Sequence, residues 1–328
     1  MHEIASFFAQ CAHSRALITS LCALIVVPPA AALAGRLFAP HILRMTDDPA
    51  WQAAYAAAAA ALPGAVFVVL ALGSLASANG ASCWTMPGGR FVLGAIVGLT
   101  VAAIIHACWR FVARAAGIQR LASSSGPATP RLRELATVCG VRVLEINDAA
   151  PVCALAGLIS PTVFVSTGAL RALNDEELRA ALLHERAHIR RGDQIVAACL
   201  SFFADLLPLP STDLLETHRF ARELVADRAA AELTGANTLA HALIAFAKSG
   251  NAIAGAVSFA EPRPRNVVTR ISMLLAEPSP RRAGASARMT RRLALGCALA
   301  VLAVISVSFP VLAAAQPSRC AIEVRSVQ

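Results

Sequence analysis

The chain has 328 residues, of which 57% are hydrophobic and only 15% are charged, and its mean hydropathy is +0.61. This is more apolar surface than a soluble protein of this length needs for its core, so the composition excludes an ordinary soluble protein and indicates a protein of the lipid bilayer. The net charge of +9 would suit nucleic acid, but the arginines cluster beside apolar runs. There they mark orientation and contact with anionic lipid, and we expect no direct nucleic-acid binding.

Four charge-free apolar runs can each supply the roughly 20 residues that a spanning helix requires. They lie between Arg15 and Arg36, within Pro49 to Gly89, between Arg90 and Arg110, and between Arg292 and Arg319. The first three define an N-terminal membrane domain, residues 1–112, and the fourth defines a C-terminal transmembrane helix, residues 293–316. All three tryptophans fall at or near the ends of spans, as interfacial anchors do: Trp51, Trp84 and Trp109.

Arginines flank the central part of the chain on both sides. The third span is followed by Arg110, Arg114, Arg120, Arg131 and Arg133, and the last is preceded by Arg281, Arg282, Arg288, Arg291 and Arg292. Because positive residues stay on the cytoplasmic side, residues 110–292 are predicted to be cytoplasmic, and the N-terminus and the tail 317–328 to face the other side. Within this stretch, residues 113–276 form a separate domain, and residues 277–292, rich in Pro, Ser, Gly and Arg, form a basic linker.

Short β-prone runs follow the third span, at 141–146, 152–158 and 162–166, separated by polar or Pro-containing turns. They predict a small antiparallel sheet. Its edge could hold an extended substrate by strand addition, and a sheet that serves only packing is the alternative.

A helix with both ends marked follows the sheet. Asn174 is an N-cap with Glu177 as the capping-box residue three positions on, and Gly192 ends the helix. This helix carries His184-Glu185-Arg186-Ala187-His188, an HExxH motif. Spacing of four residues places both imidazoles on one helical face, where they can bind one Zn²⁺, and Glu185 lies beside the metal as a base for the attacking water.

A catalytic zinc takes three protein ligands, and Glu223 is the best third candidate. Asp227 lies one turn further along the same face, where it can accept the second ring N–H of a ligating histidine. The alternative is that both belong to a solvated charged face with Arg219, Arg222 and Arg228. The combination with HExxH favours the metal site, and the helical pattern continues to about Lys248.

Two further polar residues are candidates near the metal. Asp193 could orient His188 or form a surface pair with Arg190 or Arg191, and the residues alone leave both open. His218 is a candidate donor to the developing oxyanion, although a lone helical histidine is more often structural.

The apolar run from Ile195 to Pro210 decides the topology. If it crossed the bilayer, Glu223 and the two histidines would lie on opposite sides, and one metal cannot be bound from both. The run is also short and carries Asp205 and two prolines. We therefore predict a buried or membrane-dipping helix that returns to the same face and lies against the spans, with a plain core helix as the alternative.

Several segments together carry a resemblance to a known family. They are Ala150-Pro151, Gly157 to Pro161, the strand-like 162–166, Glu177-Leu178, the HExxH motif, Arg191-Gly192-Asp193, and Arg222-Glu223 to Asp227. The chain resembles, over roughly 140–275, the membrane-embedded zinc metallopeptidases typified by the BlaR/MecR β-lactam-sensing receptors of bacteria. Two departures stand out: the short tail 317–328 replaces the penicillin-binding sensor, so no β-lactam sensing is implied, and Ala226 stands where many members have Cys.

The resemblance implies Zn²⁺ on His184, His188 and Glu223, with Glu185 as the catalytic base. The expected fold is α+β and mainly helical, with four transmembrane helices and a gluzincin-like cytoplasmic domain, in a bacterial inner or plasma membrane. The expected function is a zinc endopeptidase that cleaves a cytoplasmic or membrane-proximal protein in signal-dependent regulation. The alternatives are membrane-protein quality control and a non-catalytic signalling scaffold with a structural metal. A transcriptional repressor as substrate and a homodimer as the assembly stay open.

Overall fold

The computed structural model describes residues 2–44, 48–78, 89–123, 125–207, 212–247, 257–258 and 264–276. It begins with three long helices, α1 (His2–Leu43), α2 (Pro49–Ala78) and α3 (Gly89–Ser123). The parts of them that are long and apolar enough to cross a membrane are Leu21–His41, Pro49–Ser74 and Phe91–Gln119. These coincide with the first three predicted spans. The predicted fourth span 293–316, the linker 277–292 and the tail 317–328 lie outside the described residues.

A helical domain with a small sheet follows. Its elements are β1 (Ser125–Gly126), α4 (Pro130–Cys139), β2 (Val143–Ile146), β3 (Cys153–Ala156), β4 (Thr162–Ser166), α5 (Thr167–Ala172), α6 (Asp175–Arg191), α7 (Asp193–Asp205), α8 (Thr212–Thr234), α9 (Ala236–Ala247), β5 (Val257–Ser258) and α10 (Pro264–Leu275).

The sheet is mixed, and the prediction of an antiparallel sheet is wrong. Its strand order is β1-β2-β4-β3-β5, and β4 is parallel to β2 while it is antiparallel to β3. The loop after β2 is held at the start of α5, because the Asp148 carbonyl accepts bonds from the Gly168 N–H and the Thr167 hydroxyl. A Cβ at Gly168 would overlap the Ala149 carbonyl. The loop therefore leads β3 to a position that is not next to β2, and β4 lies between the two strands and pairs with both.

Both faces of the central strands are buried. One face packs Leu155, Val163 and Val165 against Leu178 and Leu182 of α6. The other face carries a smaller apolar cluster that reaches Ile118 of α3. The sheet therefore joins the end of the third membrane helix to the helix that carries HExxH.

The predicted ends of α6 are confirmed. The Asn174 side chain accepts from the Glu177 N–H at 2.9 Å, the Glu177 carboxylate accepts from the Asn174 N–H at 3.0 Å, and Gly192 ends the helix at φ +66°. The helical pattern predicted to continue to about Lys248 is present as two helices, because Gly235, at φ +88°, ends α8 before α9 begins.

The run that begins at Ile195 forms α7, which is too short to cross a bilayer core. Its 13 residues extend about 20 Å, short of the roughly 30 Å of a bilayer core. The helix lies against α2, where Gly64 is so close to Phe203 that a Cβ would overlap the Phe203 carbonyl. It also lies against α3, where Asp205 pairs with Arg114 and, at 3.6 Å, with Arg110. The prediction that this helix lies against the spans is confirmed, and its return to the same face of the membrane stays a prediction.

The next helix, α8, packs along α2. Arg36 of α1 pairs with Asp213 at 2.6 Å near the start of α8, and Leu214 packs on Ala59 and Ala60. The α2 helix is rich in alanine on this side, which lets the two backbones approach closely. The membrane helices therefore support the element that carries Glu223.

Candidate metal centre

Helix α6 presents the two histidines of HExxH on one buried face. Both side chains are fully enclosed, with His184 at 0% exposure, and their Nε2 atoms lie 3.1 Å apart. The rings meet edge to face, with centroids separated by 4.7 Å. The i, i+4 spacing thus brings two nitrogen atoms to one centre.

Helix α8 brings Glu223 to the same centre. One carboxylate oxygen lies 3.2 Å from Nε2 of His184 and the other lies 3.5 Å from Nε2 of His188. One ligand atom from each of the three residues can be chosen so that all lie within 4.8 Å of one another. The structure therefore joins residues that are 35 positions apart in sequence, and this group could hold a metal ion.

A carboxylate faces the second nitrogen of each ring. Oδ1 of Asp227 lies 3.0 Å from Nδ1 of His184, and Oδ2 of Asp193 lies 2.7 Å from Nδ1 of His188. A carboxylate only accepts, so these contacts favour the neutral tautomer with its proton on Nδ1, and in that tautomer both Nε2 lone pairs face the shared centre. Asp193 also lies 3.5 Å from Arg191, so the surface pair considered as its alternative coexists with the contact to His188.

Glu185 is buried beside this centre without a hydrogen-bond partner among the described residues. Both of its carboxylate oxygens are enclosed. Burial raises the pKa of Glu185 to about 8, while the charge of Glu223 adds to the rise and His188 opposes it. A buried carboxyl group with free acceptor atoms and a pKa near neutrality suits a group that takes and returns a proton.

Arg270 of α10 is a site residue that the sequence analysis missed. Its side chain is 1% exposed and donates two bonds of 2.7 Å to the two oxygens of Asp227. Its remaining nitrogen lies 3.4 Å from Glu223. The sequence offers only a weak signal for it. Arg270 has the helical spacing of the apolar residues of α10 that face the core, Val267, Ile271 and Leu274.

A second arginine, Arg222, is also buried. Its guanidinium lies 3.7 Å from Glu223 and 3.9 Å from Asp193. The solvated charged face that was the alternative for this helix holds for Arg219, which is exposed, and does not hold for Arg222, Glu223 and Asp227.

Opposite charges outweigh burial for the acidic residues of the centre. Burial acts to raise the pKa of Glu223 and of Asp227, yet His188, His184 and Arg270 hold the first well below its usual range, and Arg270 and His184 lower the second. Burial acts to lower the pKa values of the two histidines, but the neighbouring carboxylates raise them. The positive and negative groups of the centre therefore stabilise each other's charged forms.

His218 takes the structural role that the sequence analysis held to be the more common one. Its Nδ1 donates to the Ala53 carbonyl of α2 at 2.9 Å, and burial lowers its pKa. Nε2 is enclosed and has no hydrogen-bond partner among the described residues. His218 therefore ties α8 to a membrane helix, and no contact places it at the centre itself.

The donor set fits a zinc ion. Two imidazole nitrogens and a carboxylate converge, each ring is oriented by a carboxylate on its far side, and the Glu185 oxygens have no protein partner in the described chain. Two neutral Nε2 atoms facing each other at 3.1 Å would repel, and a shared cation removes that repulsion.

Residues 84–274, more than half of the chain, match the family model described as BlaR1 peptidase M56. The chain belongs to this family. As an M56 peptidase of the BlaR/MecR type, it is a membrane-associated metallopeptidase, which agrees with three apolar helices long enough to cross a membrane. A search of curated proteins gave no match. The matched residues include α6, α7, α8 and nearly all of α10, the helices whose side chains meet at the candidate metal centre.

Proposed function

We propose that this M56 peptidase is a zinc endopeptidase of the inner or plasma membrane that cleaves a cytoplasmic or membrane-proximal protein. The observation that carries the proposal is the convergence of His184, His188 and Glu223 within 4.8 Å beside the buried, partnerless carboxyl group of Glu185. Two histidines and a carboxylate leave one position of a tetrahedral zinc open for water or substrate, as catalytic sites do.

In this proposal the residues have distinct roles. His184, His188 and Glu223 would hold Zn²⁺, which when bound polarises the scissile carbonyl and makes water acidic enough to ionise near neutral pH. Glu185 accepts the proton of the attacking water and passes it to the leaving amine. Asp227 and Asp193 keep the Nδ1 protons of the two histidines in place, at 3.0 and 2.7 Å. Arg270 and Arg222 offset the negative charge of these carboxylates.

The cytoplasmic location is part of the proposal. It rests on the arginines that follow α3, of which Arg110 and Arg114 pair with Asp205 at the base of the domain. The proposed division of the chain has the same basis. It comprises a membrane domain 1–112, a metallopeptidase domain 113–276, a linker 277–292, a span 293–316 and a tail 317–328. In this division α3 continues across the first boundary without a break.

Regulatory proteolysis triggered through the spans is the use that we propose for this activity. It is supported by the direct packing of α2 on α8, the helix of Glu223. A repressor protein would be a suitable substrate, and a homodimer a suitable assembly. Quality control of membrane proteins needs the same chemistry, and identification of the substrates separates the two uses.

A non-catalytic scaffold is the alternative from another class. A purely structural zinc does not need a further carboxyl group, such as that of Glu185, beside its ligands. Burial of the Glu185 carboxyl group without a partner is costly, and a scaffold would gain stability by replacing it with an apolar residue. The buried Glu185 therefore favours the enzyme.

Glu185→Gln in the membrane-inserted full chain tests the proposal. We expect zinc content to stay at the wild-type level, because none of the three ligands changes, and hydrolysis of protein substrates to be lost. Glu176→Gln on the same helix is the matched control, since Glu176 is 68% exposed and pairs with Arg179 at 3.6 Å. Retained zinc together with unchanged proteolysis in Glu185→Gln would favour the scaffold.

A further inference from the structure

An apolar groove of about 410 Å³ lies between α3 and α7, beneath the turn that joins β3 and β4. Phe111 and Val112 line it from α3, Ile195, Phe202 and Phe203 from α7, and Leu158 from the turn. Among the residues that the structure describes, no charged side chain lines this groove. It lies outside the group of metal-site residues.

The turn above the groove projects an apolar tip. Ile159 is 97% exposed and Leu158 is 41% exposed. The turn has a fixed shape, because Gly157 has φ +100° and a Cβ there would stand 2.6 Å from the Ser160 carbonyl. The Arg142 side chain also donates to the Ser160 hydroxyl. The turn therefore keeps the side chain of Ile159 exposed in a defined position.

The groove continues the apolar face of a membrane helix. Along α3, exposed apolar residues recur at helical spacing, at Val101, Ile105, Trp109 and Val112. The row begins inside the candidate span Phe91–Gln119 and runs into the groove at Val112. Trp109, 71% exposed, and the neighbouring Arg110 mark the usual depth of a membrane interface.

Charged contacts on α7 lie at the same depth. Asp205 pairs there with Arg110 and Arg114, at the end of α7 that is furthest from the metal centre. The lipid-facing row, the interfacial tryptophan and these ion pairs thus lie beside one groove, and its only described cover is the turn with Ile159.

We propose that this groove is filled by lipid and that the β3–β4 turn inserts Leu158 and Ile159 into the leaflet next to the peptidase domain. The occupant is the acyl-chain and headgroup boundary of the bilayer, because the groove is open, apolar and continuous with the lipid-facing row of α3. The domain is then held by the spans, by α7 and by a third contact at the turn.

This placement sets the height of the metal centre above the lipid. Ile195 lines the groove, and Asp193, which contacts His188 at 2.7 Å, lies two helical positions away, about 3 Å of rise. Lipid therefore reaches close to the histidines. A protein segment cleaved at this centre must lie at the membrane surface.

Single-tryptophan variants of the full chain test the lipid contact without any need for activity. Trp51, Trp84 and Trp109 are replaced by Phe, and Ile159→Trp is added. The protein is placed in vesicles of phosphatidylcholine and phosphatidylglycerol that contain lipids brominated either just below the headgroup or near the chain end. A variant that retains only Trp109 is the positive control.

The negative control is Leu233→Trp in the same background. Leu233 is 58% exposed and lies 20 residues beyond Asp213 on α8, about 30 Å along the helix from the ion pair with Arg36. A second probe, Val112→Trp, reports on the groove wall and keeps the test informative if the turn variant fails to fold.

We expect shallow brominated lipids to quench the Ile159→Trp and Val112→Trp proteins to an extent comparable with the Trp109 protein, and to leave the Leu233→Trp protein unquenched. An unquenched, red-shifted tryptophan at positions 159 and 112 would show water in the groove. An unquenched but blue-shifted one would show a protein cover, such as residues 293–316 or a second copy. Either result overturns the proposal.

Discussion

The start and the middle of α8 carry charged residues in different surroundings. Near the start, Asp213 pairs with Arg36, and the two side chains are 67% and 38% exposed to solvent. Further along, Glu223 and Asp227 are buried, and each of their oxygens faces a histidine or an arginine. Exposed pairs contribute little to stability, whereas a buried charge that loses its partner is strongly destabilising. The stability of the contact between α8 and the spans therefore depends on close packing. The stability of the candidate metal centre depends on every buried charge keeping its partner.

Glu223→Ala should produce the largest effect, because it removes a proposed metal ligand and leaves two histidines and Arg270 without their shared carboxylate. We expect loss of bound zinc and of proteolysis, and a decrease of about 3–5 kcal/mol in the free energy of unfolding. Metal analysis and denaturation in detergent measure these effects. Glu232→Ala, an exposed position on the same helix, should match the wild type. Wild-type zinc content in Glu223→Ala would contradict the ligand assignment.

Arg270→Gln should come next, because it breaks the two bonds of 2.7 Å to Asp227 and so frees the carboxylate that orients His184. We expect zinc affinity to fall by about 10–100-fold, as for other outer partners of metal ligands. Arg270→Lys keeps the charge but not the paired donors, and should recover part of the loss. Competition with a zinc chelator measures the affinity.

The control for Arg270 is Arg219→Gln, since Arg219 is exposed on α8. If Arg270→Gln and Arg219→Gln bind zinc equally well, Arg270 does not position the metal centre.

Gly64→Ala tests the dependence of the membrane contact on shape. The added Cβ would overlap the Phe203 carbonyl, so α7 must move away from α2. We expect a loss of about 1–3 kcal/mol in stability, the usual range for overpacking. Gly94→Ala and Gly98→Ala are matched controls, because no atom of the described part of the chain lies within 4 Å of an added Cβ at either position. Thermal unfolding of the detergent-solubilised protein compares the three, and equal midpoints would show that the close contact is unimportant.

Asp205→Asn should have the smallest effect. It weakens the pairs with Arg110 and Arg114, whose side chains are about half and one third exposed. We expect a change below about 1 kcal/mol, which decreases further as salt is added. Denaturation at low and high ionic strength measures it. A loss as large as that of Glu223→Ala would show that the two regions do not differ in the way described above.

Local sequence signals predicted the parts of the site that local rules control. The capping box at Asn174 and the glycine at 192 fix the ends of α6, and the spacing of His184 and His188 fixes their common face. Glu223 and Asp227 required the additional premise that HExxH needs a third ligand. With that premise, the same one-turn spacing placed both on one face of α8.

Features that depend on contacts between distant segments could not be read in this way. Arg270 looks like any arginine of a basic stretch until α10 packs against α8, 43 residues after Asp227. The order of the strands was missed for the same reason, since alternation identifies a strand without naming its neighbours. The parallel pairing of β2 with β4 follows from the loop bonds at Asp148, which join residues about 20 positions apart.

The contact between Asp227 and Arg270 also has a consequence for biosynthesis. The histidines, Glu223 and Arg270 arrive on three segments that leave the ribosome in succession, after the first three apolar helices. Until α10 has been made, Asp227 lacks the guanidinium that saturates it, and the ligand cluster is incomplete. Because a nascent chain folds from its N-terminal end, the group that could hold a metal ion is completed late, after the three apolar helices have been made.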